Sequence, residues 1–344
     1  MKEFLIILLL VVGFFLIKTF YQAGQFKSID PHFDGRVTQV YRNMAGPEDL
    51  QLDYQTGNLF ISSATRRKSN AGNNIDGIYL LNIERGGLPI LVPHNYQGEF
   101  HPHGISLLRK DSVLYLFVVN HNNKGDFVEL FRYSKTSLEH LNSYSSEDMC
   151  CPNDVIATDI DKFYVTNDHG AKAGIMRLLE DYLRIPRASI FYFGGQEFNK
   201  VAGPFNYANG INMSADKSQL YLTTTISNLL VIYEVKEDGS LQQKNILNLG
   251  TGLDNIDVDE AGNLWIAAHP KLIDYLQHAK DSTNYAPSQV LKLTPSDDYN
   301  FDVDEIYLDD GSEISASSTA VYYRNELFIG VVLDNSLLRA TIAD

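Results

Sequence analysis

Several side chains in this sequence belong to types that bind hard cations or move protons, and they fall at matching points of a recurring pattern. Glu48 and Asp49, Asn153 and Asp154, Asn209, and Asp254 and Asn255 each stand just before or at the start of a short alternating strand, as does His103. Carboxylate and amide oxygens from separate segments, with no thiolate and little imidazole, suit an ion that takes about six to eight oxygen ligands. Calcium fits that set, whereas magnesium wants a tighter octahedron and zinc wants nitrogen or sulfur. Histidines gather at the same places: His121 ends the second strand of the unit that His103 opens, His169 follows a second strand, and His269 ends another. Imidazole changes charge near neutral pH, so this grouping provides for acid–base work, with His103 and His121 placed to act as a dyad. No Gly-x-Ser-x-Gly elbow occurs, and no serine nucleophile is required.

The elements that must position these groups repeat roughly every 50 residues. Each unit reads as a polar pair, an alternating strand, a turn and a second strand: LQLDYQTGNLFISS after Asp49, ISLLRKDSVLYLFVVNH after Gly104, and VIATDIDKFYVTND after Asp154. INMSADKSQLYLTTT after Gly210, IDVDEAGNLWIAAH after Asn255 and TAVYYRNELFIGVV after Ser318 continue the series. Third and fourth β-rich stretches follow most units, which predicts an all-β, six-bladed propeller of four-stranded blades. The segment GRVTQVYR at 35–42 precedes the first unit and is placed to close the ring as the outermost strand of the last blade. First strands of a propeller line its channel, so the polar pairs meet at the channel mouth. Strand alternation sends Asp49 and Asp154 deeper than their neighbours, where a second ion shared with a backbone carbonyl such as that of Ile105 would keep them from standing unpaired.

With 43 acidic residues against 28 basic ones, the formal charge of −15 lacks the basic footprint of a nucleic-acid binder. Cys150 and Cys151, the two cysteines, supply neither a disulfide framework nor a zinc spacing, so stability must come from packing. The amino terminus differs in kind: Phe4 to Ile17 carries no charge and is flanked by Lys2 and Lys18. At about 1.5 Å per residue that run spans roughly 21 Å, extended by Lys18, Phe20 and Tyr21. No small-x-small cleavage site follows. The expectation is a retained signal-anchor over residues 1–24, with a propeller over residues 25–344 exported and either held at the membrane or secreted. A cleaved signal peptide and a buried helix are the alternatives. Residues 171–185 place Ile175, Leu178, Leu179 and Tyr182 on one helical face, which reads as a helix packed over the ring, a lid or a membrane-surface contact. Asn212 opens an N-x-S sequon but falls within an inner strand, against glycosylation.

Taken in order, EDLQ, FHPHGIS, VVNH, PNDVIA, TNDH, YANGIN, LDNIDVD and HPK resemble the paraoxonase/arylesterase family of calcium-dependent lactonases, over residues 1–344. The resemblance implies a six-bladed propeller with two calcium ions in its channel. Glu48, Asn153, Asn209, Asp254 and Asn255 would hold the catalytic ion, and Asp49, Asp154 and the carbonyl of Ile105 the structural one. His103 and His121 would form the catalytic dyad, with His169, Tyr207 and His269 at the substrate pocket. Lactones and aryl esters are the implied small-molecule substrates, with phosphotriesters left open as a side activity. Three departures stand out: no cysteine near Val37 or the carboxyl terminus to make the disulfide that closes the ring of animal members, Ala268 in place of a free cysteine beside the site, and a more charged helical insert. The last argues against lipoprotein association. A calcium-stabilised binding scaffold and a sugar-lactone hydrolase of the gluconolactonase type are the rival readings.

Overall fold

Strands rich in branched and aromatic residues pack into six sheets, and the computed structural model describes residues 2–67, 75–297 and 299–342. Among the described residues five sheets have four strands and one has five, ordered consecutively from the channel outward except that the outermost strands of two blades come from the amino-terminal segment. The inner strands are Pro47–Asp53, Pro102–Lys110, Pro152–Asp159, Ala208–Met213, Gly252–Val258 and Ser317–Tyr323 of blades 1 to 6. Ala208–Met213 is buried throughout because it stands between the inner strands of blades 3 and 5, whereas the outermost strand of that blade, Leu241–Asn248, is largely solvated. The expected six-bladed all-β propeller is the architecture observed.

Six apolar clusters hold the ring, each shared by two adjacent blades. Leu50, Ile61 and Tyr79 of blade 1 meet Val321 and Phe328 of blade 6, Phe117 and Val128 of blade 2 meet Phe163 of blade 3, and the series continues around the circle. Closure comes from the segment expected to supply it: Gly35–Tyr41 pairs antiparallel with Leu337–Ile342, with Val40 opposite Leu338. A short strand that the sequence reading did not foresee, His32–Phe33, adds to the rim of blade 5. Asn212 is buried and its amide donates to the carbonyl of Ile256, which seals the sequon inside the sheet.

Among the described residues three helices stand outside the blades. Helix α1 (Lys2–Gln22) is apolar and exposed along its length, and its end is tied down beside the channel mouth. Gln25 Nε2 donates to Asp274 Oδ1 at 2.6 Å, Asn228 Nδ2 to the Gln22 carbonyl at 2.9 Å, and Arg184 reaches the Gln22 side chain. Helix α2 (Ile175–Leu183) lies in the insert of blade 3 and α3 (Leu272–Lys280) in that of blade 5.

Candidate active site

Every inner strand breaks register near its entry. Pairing with the second strand skips between Pro47 and Asp49, Pro102 and Ile105, Pro152 and Val155, Ala208 and Ile211, Leu253 and Ile256, and Ser317 and Thr319. The residues caught in these bulges include Glu48, His103, Asn153, Asp154, Asn209, Asp254, Asn255 and Ser318. A bulge leaves residues unpaired, bends the strand and re-aims side chains, so sequence neighbours need not alternate between faces. Close approach of adjacent blades makes this compact: a Cβ on Gly104 would lie 2.4 Å from Asp154 Cα, and one on Gly210 would lie 2.6 Å from Asn255 Cα.

Glu48, Asn153, Asn209, Asp254 and Asn255 are each at most 5% exposed. Glu48 Oε2 and the Oδ1 atoms of Asn153, Asn209 and Asn255, from four blades, are buried and receive no hydrogen bond. Two of the amide nitrogens are occupied: Asn209 Nδ2 donates to Thr225 Oγ1 at 2.8 Å, and Asn255 Nδ2 to Glu48 Oε1 and the Glu48 carbonyl at 3.2 Å. These bonds orient the amides and leave their oxygens free, at a cost unless an electropositive partner meets them.

Deeper in the channel the picture differs from expectation. Asp49 and Asp154 do not lack partners: Asp49 accepts from the backbone N–H of Leu50 at 2.8 Å and of Ile105 at 2.7 Å, and Asp154 from Val155 at 2.7 Å and Ile211 at 2.8 Å. Ile105 thus offers its N–H to Asp49. Charge nevertheless remains uncompensated. Burial, then Asp154 and Glu48, push the Asp49 carboxyl well above its ordinary range, and burial does the same for Asp154. Asp254 is also raised by burial although His269 Nε2 lies 2.8 Å away. Burial works to raise Glu48 as well, but His103 and Arg66 outweigh it and draw that carboxyl down to about 2. Like-charged buried carboxylates beside donorless amide oxygens fit a calcium-sized cation. Among the described residues no group of three His, Cys, Asp or Glu could hold a metal ion by itself, because much of the donor set is amide.

The histidines form a chain. His103 Nε2 lies 3.3 Å from Glu48 Oε1, His103 Nδ1 is 2.9 Å from His121 Nε2, and His121 Nδ1 is 2.8 Å from Asp126 Oδ1, whose second oxygen meets Lys172 at 2.6 Å. Burial lowers the His121 pKa against the pull of Asp126. His169 sits apart, clamped between Asp168 Oδ1 at 2.5 Å and Asp181 Oδ1 at 2.8 Å, with the Tyr207 ring edge-on at 5.0 Å. His269 stacks on Tyr275 of α3, with ring centroids 4.3 Å apart.

Helix α2 is inverted relative to an ordinary amphipathic helix. Ile175, Leu178 and Tyr182 are 76%, 54% and 62% exposed, while Glu180 is buried, accepting from the Gly170 N–H at 2.8 Å. Four contributors escaped the sequence reading: Ser318, whose hydroxyl donates to Glu48 Oε1 at 3.2 Å, and Asp126, Tyr275 and Arg66. Ser318 was reachable from the repeat register; Arg66 lies on a loop, Asp126 near the start of the third strand of blade 2 opposite His121, and Tyr275 on α3. A cavity of about 740 Å³ at the outer strands of blades 2 and 3, bordered by Ser143, Asp161 and Phe198, lies away from this convergence.

The arylesterase family model matches residues 81–340. Serum paraoxonase/arylesterase 2 of Gallus gallus is 32% identical over 303 residues, covering 85% of each chain. Serum paraoxonase/arylesterase 1 of Homo sapiens is 31% identical over 305 residues, again with 85% of each chain covered. Among solved structures, the periplasmic gluconolactonase of Pseudomonas aeruginosa matches with a TM-score of 0.53 and 13% identity, over 86% of this chain and 89% of that one. The calcium-binding protein regucalcin from Agrobacterium tumefaciens matches with a TM-score of 0.53 and 14% identity, over 91% and 96%. At such identities these two speak for the fold, whereas the sequence relatives speak for descent: the chain belongs to the arylesterase family, that of the serum paraoxonases, and is an esterase/lactonase hydrolase.

Proposed function

We propose that this chain is a calcium-dependent hydrolase of lactones and aryl esters that works at a membrane surface. The reading is carried by the four buried, donorless oxygens of Glu48, Asn153, Asn209 and Asn255 beside a histidine pair. Those residues with Asp254 would hold the catalytic calcium, and Asp49, Asp154 and the Ile105 carbonyl a structural one. Calcium bound there supplies positive charge for the carbonyl oxygen of the substrate, the contribution usually largest in acyl transfer.

The protein's own part is proton transfer. Asp126 fixes the His121 proton on Nδ1, so Nε2 accepts the Nδ1–H of His103 and leaves His103 Nε2 bare in its neutral form. That nitrogen lies 3.3 Å from Glu48 Oε1. His103 Nε2 then takes a proton from water as the water oxygen bonds to the carbonyl carbon. When the ring or ester C–O bond breaks, the proton passes to the departing oxygen. His169, Tyr207 and His269 line the substrate side.

Location supports a membrane surface. The apolar helix α1 ends beside the channel mouth, and α2, tied to it through Arg184, turns its apolar face outward there. The test is turnover of aliphatic lactones and phenyl acetate by the full chain in detergent, with calcium and then with excess chelator. Calcium-dependent hydrolysis is expected; full activity in chelator overturns the metal's role.

A further inference from the structure

Two adjacent arginines leave blade 1 toward the mouth and have unlike surroundings. Arg67, 4% exposed at its side chain, is consumed by structure: Nη1 donates to Asp334 Oδ1 at 2.6 Å and Nη2 to the His278 carbonyl at 2.6 Å. Arg66 is not. Its Nη2 donates to the Pro102 carbonyl at 3.3 Å and stands 3.6 Å from Glu48 Oε2, beyond hydrogen-bond distance. Arg66 Nε and Glu48 Oε2 are both buried without a hydrogen-bond partner. A buried N–H without an acceptor is a cost that a ligand oxygen would relieve.

Its position defines that ligand. The Glu48 carboxylate is flanked by Arg66 on its Oε2 side and by His103 on its Oε1 side. Other cations nearby are committed elsewhere: Lys172 to Asp126 at 2.6 Å, and Arg177 to Asp181 at 3.3 Å. Resting on the hydrolase reading above, we propose that Arg66 is a further catalytic residue, whose guanidinium donates to the substrate carbonyl oxygen as it becomes negative and then to the carboxylate of the product. Water adds to the carbonyl carbon while its proton goes to His103. The C=O π pair moves onto the oxygen facing Arg66. Collapse re-forms the C=O and breaks the C–O bond to the leaving oxygen, which takes the proton from His103, so a lactone yields a hydroxy acid; its carboxyl then releases its own proton to solvent, and Arg66 still holds the resulting carboxylate. A charged fork suits an oxygen anion, and a donor placed where charge develops contributes most in the transition state.

The experiment uses the full chain in detergent with calcium, comparing wild type, Arg66→Met and Arg66→Lys on γ-caprolactone and phenyl acetate. Arg66→Met is expected to lower kcat about 100-fold on both substrates, with KM changed less than about threefold, and Arg66→Lys to fall between. Added guanidinium at millimolar concentration should restore part of the Arg66→Met rate, which a merely structural arginine would not allow. A second readout is calorimetric binding of 4-hydroxyhexanoate, expected to weaken about tenfold or more in Arg66→Met. Unchanged kcat and unchanged product affinity in a folded variant overturn the assignment, as does a loss that guanidinium does not rescue accompanied by normal product binding. Wild type without calcium-dependent turnover would instead overturn the hydrolase reading, and product binding would then decide whether Arg66 receives an oxygen anion.

Discussion

Nδ1 of His103 and Nε2 of His121 lie 2.9 Å apart, so one proton serves both facing nitrogens of the two rings. Burial lowers the His121 pKa and keeps that ring neutral into mildly acidic solution, while Asp126 opposes the shift. His103→Gln should lower kcat/KM by about 100-fold or more, in the range of a lost general base. Asp126→Asn removes the carboxylate that favours protonated His121, so the acidic limb of the kcat/KM profile should move to lower pH. A profile that stays in place would remove Asp126 from the relay.

The stacked carboxylates make the metal-free protein sensitive to pH in an unusual direction. Asp49, Asp154 and Asp254 have folded pKa values above their unfolded ones, so the folded state holds protons that the unfolded chain has released. Stability must then fall as pH rises from the ordinary aspartate range through the raised folded values. Metal-stripped protein should melt at a higher temperature at pH 5 than at pH 8, and calcium should produce its largest Tm increase at pH 8. Melting curves with and without calcium at the two pH values check both statements; a stripped protein that melts higher at pH 8 contradicts them.

Gly104 offers a test of blade geometry. A methyl there would sit 2.4 Å from Asp154 Cα and 2.6 Å from the Asn153 carbonyl oxygen, backbone atoms with little room to yield. Gly104→Ala should cost about 1 to 3 kcal/mol by overpacking and weaken calcium binding through displacement of Asn153 and Asp154. Denaturant unfolding and calcium titration of the variant measure the two effects.

The proposed membrane contact of helix α2 and its packing can be tested separately. Leu178→Glu with Tyr182→Glu, on a chain lacking α1, should reduce binding to phospholipid vesicles about tenfold or more and leave hydrolysis of water-soluble esters nearly unchanged. Its inner face depends on His169. Burial lowers that pKa, but Asp168 and Asp181 outweigh burial and raise it overall. The clamp is therefore complete below the ordinary histidine pKa and lost as pH rises through the folded one. Tryptic cleavage at Arg177 and Arg184 should accelerate with pH beyond the protease's own profile, and His169→Gln should abolish that increment.

The ring and most of its polar lining were legible in the sequence because repetition exposes them. A strand preceded at the same point of each unit by a pair such as Glu48-Asp49, Asn153-Asp154 or Asp254-Asn255 announces the blade and singles out the residues at its entry. Periodicity fails where it yields a pattern without a direction. The spacing of Ile175, Leu178 and Tyr182 identified two faces of α2, but charged Asp168 and His169 beneath it decided that Glu180 and Asp181 would face inward. Alternation likewise treated Asp49 and Asp154 as lone deep carboxylates, whereas bulges and the N–H groups of Ile105 and Ile211 from adjoining blades surround them. Arg66 belongs to a loop, where no period operates, and Asp126 to the third strand of blade 2, which the register of the inner strands does not reach.

The clasp that closes the ring joins the earliest strand to the latest. Gly35–Tyr41 emerges from the ribosome ahead of all six inner strands, and its partner Leu337–Ile342 comes last. Until synthesis finishes, the opening strand has no mate and the first and last blades share no interface. Nascent chain therefore spends its whole elongation time as an open arc, with the edge of blade 1 bare and aggregation-prone. A chain that cannot close early stays open to being threaded through a narrow pore.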